Sequence, residues 1–94
     1  MIARMWESRI NAGQLDEFCT WVRDTAWPQF TAARGFSGGE LYRSDEQNRA
    51  VIVTRWADAD ALAAGTAWFD LGSERFTPEE ANAWEFTPVP LNGS

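Results

Sequence analysis

Three features of the sequence predict an α+β domain in which helices cover one side of a four-stranded antiparallel sheet. The first is the stretch from Arg49 to Gly65. Ala50 to Trp56 is a compact run with β-branched residues at Val51, Ile52, Val53 and Thr54, and it reads as a strand buried on both faces. The second is a helix start directly after that strand. Asp58 is placed to cap a helix and Asp60 to sit in its first turn, where a carboxylate suits the helix dipole. The third is the succession of periodicities along the whole chain, which alternates strand-like and helix-like segments around this unit.

The first strand is Ile2 to Ile10. Alternation puts Arg4, Trp6 and Ser8 on one face and Ala3, Met5, Glu7 and Arg9 on the other. Asn11 and Gln14 have capping-box spacing and open a helix. Leu15, Phe18, Cys19, Val22 and Ala26 form its apolar stripe, with Asp16, Glu17, Arg23 and Asp24 on the other side. Trp21 lies off the stripe centre, where it could reach a neighbouring chain. Pro28 disfavours helical geometry at Trp27, so a break or kink is expected there, with a short continuation from Gln29 to Arg34 that ends at Gly35, a suitable left-handed terminator.

The second strand is Phe36 to Arg43, and Gly38-Gly39 within it signals a bulge or a close backbone approach. Ser44 to Asn48 is a polar connection of hairpin length. The second helix runs from Ala59 toward Leu71, weakened in its middle by Gly65 and Thr66, and ends at Gly72-Ser73. Thr77-Pro78-Glu79-Glu80 has a capping-box pattern with Pro in the first helical position, so a helical turn is expected from Pro78. Trp84 to Val89 is the last strand, at a sheet edge because of Pro88 and Pro90. Asn92 to Ser94 is a loose tail.

The order β-α-β-β-α-β is the split βαβ, or ferredoxin-like, arrangement, a single domain over residues 1–94 with the first and third strands as the central pair. The third strand puts Val51, Val53 and Arg55 on one side and Ile52, Thr54 and Trp56 on the other. Both sides are too apolar to leave wet, so the uncovered face is expected to pack against a second copy by two-fold symmetry, as a homodimer.

Composition narrows the function classes. A 94-residue chain has a modest core, yet this one carries six Trp and six Phe, which points to a partner surface or an occupied pocket. The net charge is −6 and all eight cations are Arg, against the basic face that nucleic acid or an anionic membrane selects. No apolar run approaches the roughly 20 residues of a membrane span, and Met1 leads directly into a strand, so no membrane association and no signal peptide are expected. A single cysteine, Cys19, fits a reducing cytoplasm and reads as an inert core thiol. Histidine is absent, which removes His-based triads, His metal ligands and His ligation of haem, so no metal site is expected.

The chain resembles the antibiotic biosynthesis monooxygenase family of dimeric α+β barrels. The features that carry the resemblance are Glu7-Ser-Arg-Ile10 in the opening strand, Gly13 before an amphipathic helix, Arg34-Gly35-Phe36 entering the second strand, and above all Val53-Thr-Arg-Trp56-Ala-Asp58 followed by Ala61-Leu62. They span about residues 2 to 89. Many members carry a His near the middle of the second helix, where this chain has Gly65. The haem-degrading branch uses an Asn, a Trp and a His at positions that correspond to Ser8, Gly65 and about Arg75 here, and none of the three matches.

The resemblance implies a cofactor-independent oxygenase in which an aromatic, polyketide or quinone-type substrate itself supplies the electrons to dioxygen. Such chemistry needs a dry aromatic cavity, donors for a developing oxyanion and a proton acceptor. The expected place is between helices and sheet. The catalytic candidates are Tyr42 as hydrogen-bond donor, Arg55 as fixed cation and Trp68 at a lid; the substrate-binding candidates are Trp6, Ser8 and Trp84. For the proton acceptor the candidates are the strand carboxylates Glu7 and Glu40, with a bound water as the alternative. Each has a structural alternative. Trp56 and Trp84 suit a core or interface, Tyr42 and Ser8 suit satisfied structural polar positions, and Arg55 suits an ion pair. The competing functional reading is a non-catalytic ligand-binding or assembly domain on the same scaffold, with a lyase, cyclase or isomerase a third.

Overall fold

The computed structural model describes residues 1–92; Gly93 and Ser94, the end of the expected tail, lie outside the described residues. The strands are β1 (Ile2–Arg9), β2 (Phe36–Ser44), β3 (Arg49–Trp56) and β4 (Asn82–Phe86). They form one sheet in the order β2-β3-β1-β4 with every pairing antiparallel, so β1 and β3 are the central pair. The helices are α1 (Leu15–Trp21), α2 (Trp27–Ala32) and α3 (Ala59–Ser73). This is the ferredoxin-like arrangement expected from the sequence.

Local chemistry sets the boundaries. The Asp58 carboxylate accepts from the Ala61 amide at 2.8 Å and starts α3. Gly35 has φ +81°, as a left-handed terminator requires. The register of β2 against β3 shifts between Phe36 and Gly38, which is the expected bulge. At Gly39 a Cβ would lie 2.0 Å from the Val53 carbonyl oxygen, so no side chain fits there.

Proline does not break the first helical segment. A π-helical turn, Val22–Ala26, joins α1 to α2, and the Trp27 amide donates to the Val22 carbonyl across the wider ring. The turn comes just before the residue that has no N–H to give, so the ladder is re-spaced and not cut. Asn11 does not cap α1. Its side chain donates to Gln14 Oε1 and to the Arg75 carbonyl, both at 2.9 Å, and ties the end of β1 to the segment after α3. Pro78 starts no helical turn either: a 3₁₀ turn at Glu74–Phe76 is followed by a bend at Pro78 and Glu79. The last strand starts two residues earlier than expected, because Asn82 and Ala83 already pair with Glu7 and Trp6, and it ends three residues earlier, at Phe86.

The core lies between the sheet and the helices. Trp6, Phe18, Phe30, Ile52, Trp56, Phe69 and Phe76 are its largest members. Trp6 stacks on Phe18 at 5.5 Å and meets Phe69 edge-on at 5.4 Å. Trp21 does not reach outward; it stacks on Phe69 and touches Phe76, closing the contact between α1 and α3. In β3 the side chains of Ala50, Ile52, Thr54 and Trp56 are buried, while Arg49, Val51, Val53 and Arg55 are only half-buried. The strand is therefore buried on one face, and the expectation of two buried faces is corrected for a single chain.

Candidate functional site

Two grooves lie between helices and sheet, one at each edge. The first, about 630 Å³, runs between the α1–π segment and the edge strand β2. Cys19, Val22, Trp27 and Leu41 supply its apolar surface. Its charges are already matched: Arg43 meets Asp16 at 2.8 Å and also pairs with Asp45, Arg23 meets Asp24 at 2.7 Å, and Glu40 is held by Arg55. Cys19 is half-buried on this wall, not a fully enclosed core thiol.

The second groove, about 660 Å³, lies between the end of α3, the segment after it and the β1–β4 edge. Trp6 contributes an aromatic surface. Arg4, one pleat along the same face, reaches across to α3, where one guanidinium nitrogen donates to both carboxylate oxygens of Asp70 at 2.8 Å. The Arg4 side chain is only 11% exposed, so this cation is held in place by its surroundings. Ser73 and Thr77 line the groove, and their hydroxyls donate to the carbonyls of Asp70 and Glu74. Each keeps lone pairs that can accept from a guest.

The six residues picked out from the sequence do not share one site within a chain. Trp6 and Ser8 sit on the covered face, and Trp6 lines the second groove. The Ser8 hydroxyl is buried and spent on the Arg9 carbonyl at 2.7 Å. Trp68 packs on Phe30 at 5.0 Å, on the far side of α3 from Asp70's groove. Tyr42, Arg55 and Trp84 lie on the open face, at register with Val51, beside Gly38 and opposite Met5. Arg55 makes a two-pronged pair with Glu40 at 2.8 and 3.0 Å, the ion pair that was its structural alternative, formed within the chain. That hydrogen bond first, and the attraction between the charges after burial's opposing effect, hold the Glu40 carboxyl below its ordinary value and raise Arg55.

Arg4 and Asp70 were missed from the sequence. The signal for Arg4 was present, because alternation already placed it beside Trp6. Its partner lies 66 positions away on another element, and no local pattern shows that. Among the described residues no group of three or more His, Cys, Asp or Glu converges to hold a metal ion, and no helix is long and apolar enough to cross a membrane.

A four-stranded antiparallel sheet with helices on one face and a Trp-lined groove defines a ferredoxin-like α+β protein. The family profile described as antibiotic biosynthesis monooxygenase matches residues 1–69, and the chain belongs to that family. A candidate antibiotic biosynthesis monooxygenase from Bordetella bronchiseptica is 27% identical, with TM-score 0.76 over 95% of this chain and 97% of that one. SnoaB, a cofactor-independent oxygenase from Streptomyces nogalater, superposes with TM-score 0.81 at 19% identity over 99% and 97% of the two chains. A candidate family member from Nitrosomonas europaea gives 0.81 at 14% identity over 96% and 100%. No curated protein matches the sequence. A monooxygenase-like role follows at this general level.

Proposed function

We propose that the chain is a small cofactor-independent monooxygenase acting on an aromatic, polyketide or quinone-type metabolite held in the groove beside Trp6. The observation that carries the reading is the Arg4–Asp70 pair on the wall of that groove. A fixed cation, a carboxylate and an indole face share one space large enough for a small aromatic molecule.

The chemistry divides among these groups. The substrate loses a proton to Asp70, and Arg4 stabilises the enolate or phenolate that forms. A phenol or enol is a much weaker acid than a carboxylic acid, so the transfer requires that the anion be stabilised, and that is the part given to Arg4. The anion then passes electrons to dioxygen and forms a C–O bond. For a methylene carbon the O–O bond breaks so that one oxygen stays as the new carbonyl. The other leaves as water with the two methylene hydrogens. Trp6 presents a flat apolar surface to the ring. Arg4 thus takes the role expected of Arg55, while Tyr42, Arg55 and Trp84 belong to the face that meets a second copy. That face carries Met5, Val51, Val53, Trp84 and Phe86 in one band, which supports a homodimer through the sheet. The single thiol is suited to a reducing cytoplasm.

Oxygen uptake with a panel of anthrones and hydroquinols tests the reading. Arg4→Ala is expected to lower kcat/KM by about 10²-fold, the cost of losing one oxyanion donor, with Tyr42→Phe near wild type. Equal rates for Arg4→Ala and wild type on a substrate that is turned over would remove the assignment. The competing reading, a ligand-binding or assembly domain, is favoured by one observation: Trp6, Phe18, Trp21, Phe69 and Phe76 fill the centre of the space between helices and sheet. It predicts quenching of indole fluorescence by the same panel with no oxygen consumed.

A further inference from the structure

The groove beside Trp6 carries its charges at two depths. Arg4 is nearly buried on β1 and is matched by Asp70. It is the only cation in the lining among the described residues. The other three carboxylates of the lining, Glu74, Glu79 and Glu80, are exposed and stand at the rim. Glu79 is paired with Arg9. Glu74 and Glu80 have no ion pair among the described residues. Arg75, next to Glu74 in sequence, does not neutralise them. It places its guanidinium over the Phe76 ring at 4.3 Å and over Trp21 at 5.8 Å.

We propose that the substrate of this groove is an aromatic hydroxyl compound with a basic amino group at its outer end, which Glu74 and Glu80 receive as an ammonium ion. The inference rests on the assignment of the oxygenase reaction to this groove, and it names the class of substrate the groove takes. An anion that forms at the ring hydroxyl needs Arg4, so that end enters first. The far end is then left at the rim. There a carboxylate would meet two like charges, with the lining's one cation already paired to Asp70. An alkylamine is protonated at neutral pH, as a lysine is, and meets two opposite charges.

The two rim carboxylates come from different elements. Glu74 belongs to the turn that follows α3, and Glu80 to the segment that leads into β4. Pro78, Ala81 and Ala83 complete this part of the lining without charge. The rim therefore selects by charge, while the indole of Trp6 and the Arg4–Asp70 pair serve the ring and its hydroxyl.

Three naphthols that differ only at the end far from the hydroxyl test the inference: one with an aminomethyl group, one with a hydroxymethyl group and one with a carboxylate. Binding to the full chain is measured by titration calorimetry, and oxygen uptake on the anthrone panel is followed in parallel for wild type and Arg4→Ala. The expected order of affinity is amine, alcohol, carboxylate, with about tenfold between first and last at low ionic strength, because each exposed pair contributes a small factor. The ratio should fall toward one in about 1 M salt. It should also fall in Glu74→Gln/Glu80→Gln and persist in Glu17→Gln/Glu46→Gln, which removes the same charge from the exposed side of α1 and from the β2–β3 turn. Equal affinities for the three, tighter binding of the carboxylate, or the same loss of preference in both double variants would overturn the charge selection. If Arg4→Ala still lowers oxygen uptake in that case, the site itself stands. An amine preference that depends on Glu74 and Glu80, with turnover indifferent to Arg4, would keep the rim as an amine site and remove the catalytic assignment beside it. No binding of any of the three overturns the inference.

Discussion

The two faces of the sheet are built from the same strands and differ in almost every physical respect. On the covered side of β3, Ala50, Ile52, Thr54 and Trp56 are buried, and Trp56 meets the rings of Phe30 and Phe36; on the open side, Arg49, Val51, Val53 and Arg55 are half-buried, with Arg49 and Arg55 paired to carboxylates of neighbouring strands. The covered face is completed inside one chain. The open face carries an apolar band, and the charges of its central strands are paired as Glu7–Arg49 and Glu40–Arg55. A face that is neutral by pairing and apolar between its pairs is suited to meeting its own copy, where unpaired like charges would repel. Truncation separates the two faces most sharply. Trp56→Ala should cost about 3–5 kcal/mol in urea unfolding at any protein concentration. Val53→Ala should cost well under half of that at low concentration, with a midpoint that depends on concentration. Equal, concentration-independent losses at the two sites would erase the distinction.

A smaller effect tests how tightly the covered face is filled. At Gly65 an added Cβ would fall 2.2 Å from Trp56 Cη2. In an exposed helix Gly→Ala stabilises by about 1 kcal/mol, so the sign at this site reports the close approach of α3 to the ring. Gly65→Ala is expected to destabilise by about 1–3 kcal/mol through overpacking. A raised melting temperature would mean that the helix can shift outward at little cost. Trp56 Nε1 is buried without an acceptor among the described residues.

These two residues also show how far a sequence can be read. Trp56 at the end of a β-branched run, Asp58 after it, Gly35 before Phe36 and the Gly38-Gly39 pair are local signals, and the elements they announce formed where expected. Gly65 was legible only as a weak spot in a helix. Its reason, a ring from β3 pressed against the helix backbone, depends on packing between elements. Pro28 announced a disturbance, but whether the ladder breaks or widens into a π turn depends on the core that Val22 and Ala26 must still reach. The pattern at Thr77 to Glu80 lost to the pairing of Asn82 and Ala83 with β1, an instance of tertiary contacts overriding a local cap. For the site, strand alternation grouped Arg4, Trp6 and Ser8 correctly. It could not say that Tyr42, Arg55 and Trp84 would fall behind the sheet from them, because relative facing across strands depends on register and on the bulge in β2.

The smallest expected effect is a pH dependence confined to the open face. Arg55 donates two hydrogen bonds to Glu40, and these, ahead of the charge attraction, keep the carboxyl below its ordinary 4.5 despite the opposing effect of partial burial. A carboxyl depressed on folding binds protons more tightly in the unfolded chain. Its contribution is therefore complete above the unfolded value and disappears as pH falls through the folded one. Glu40→Gln should thus be less stable than wild type at pH 6–7, and the two curves should converge as pH falls below the ordinary carboxyl value and through the lowered folded one. In a single chain the difference is small because water screens the pair. If a second copy covers this face, the screening falls and the gap at neutral pH widens with protein concentration. A gap that stays constant from neutral to acid pH would show that the pair is not what distinguishes the variants. A gap that closes with pH but ignores concentration would leave the pair in place and the open face bare.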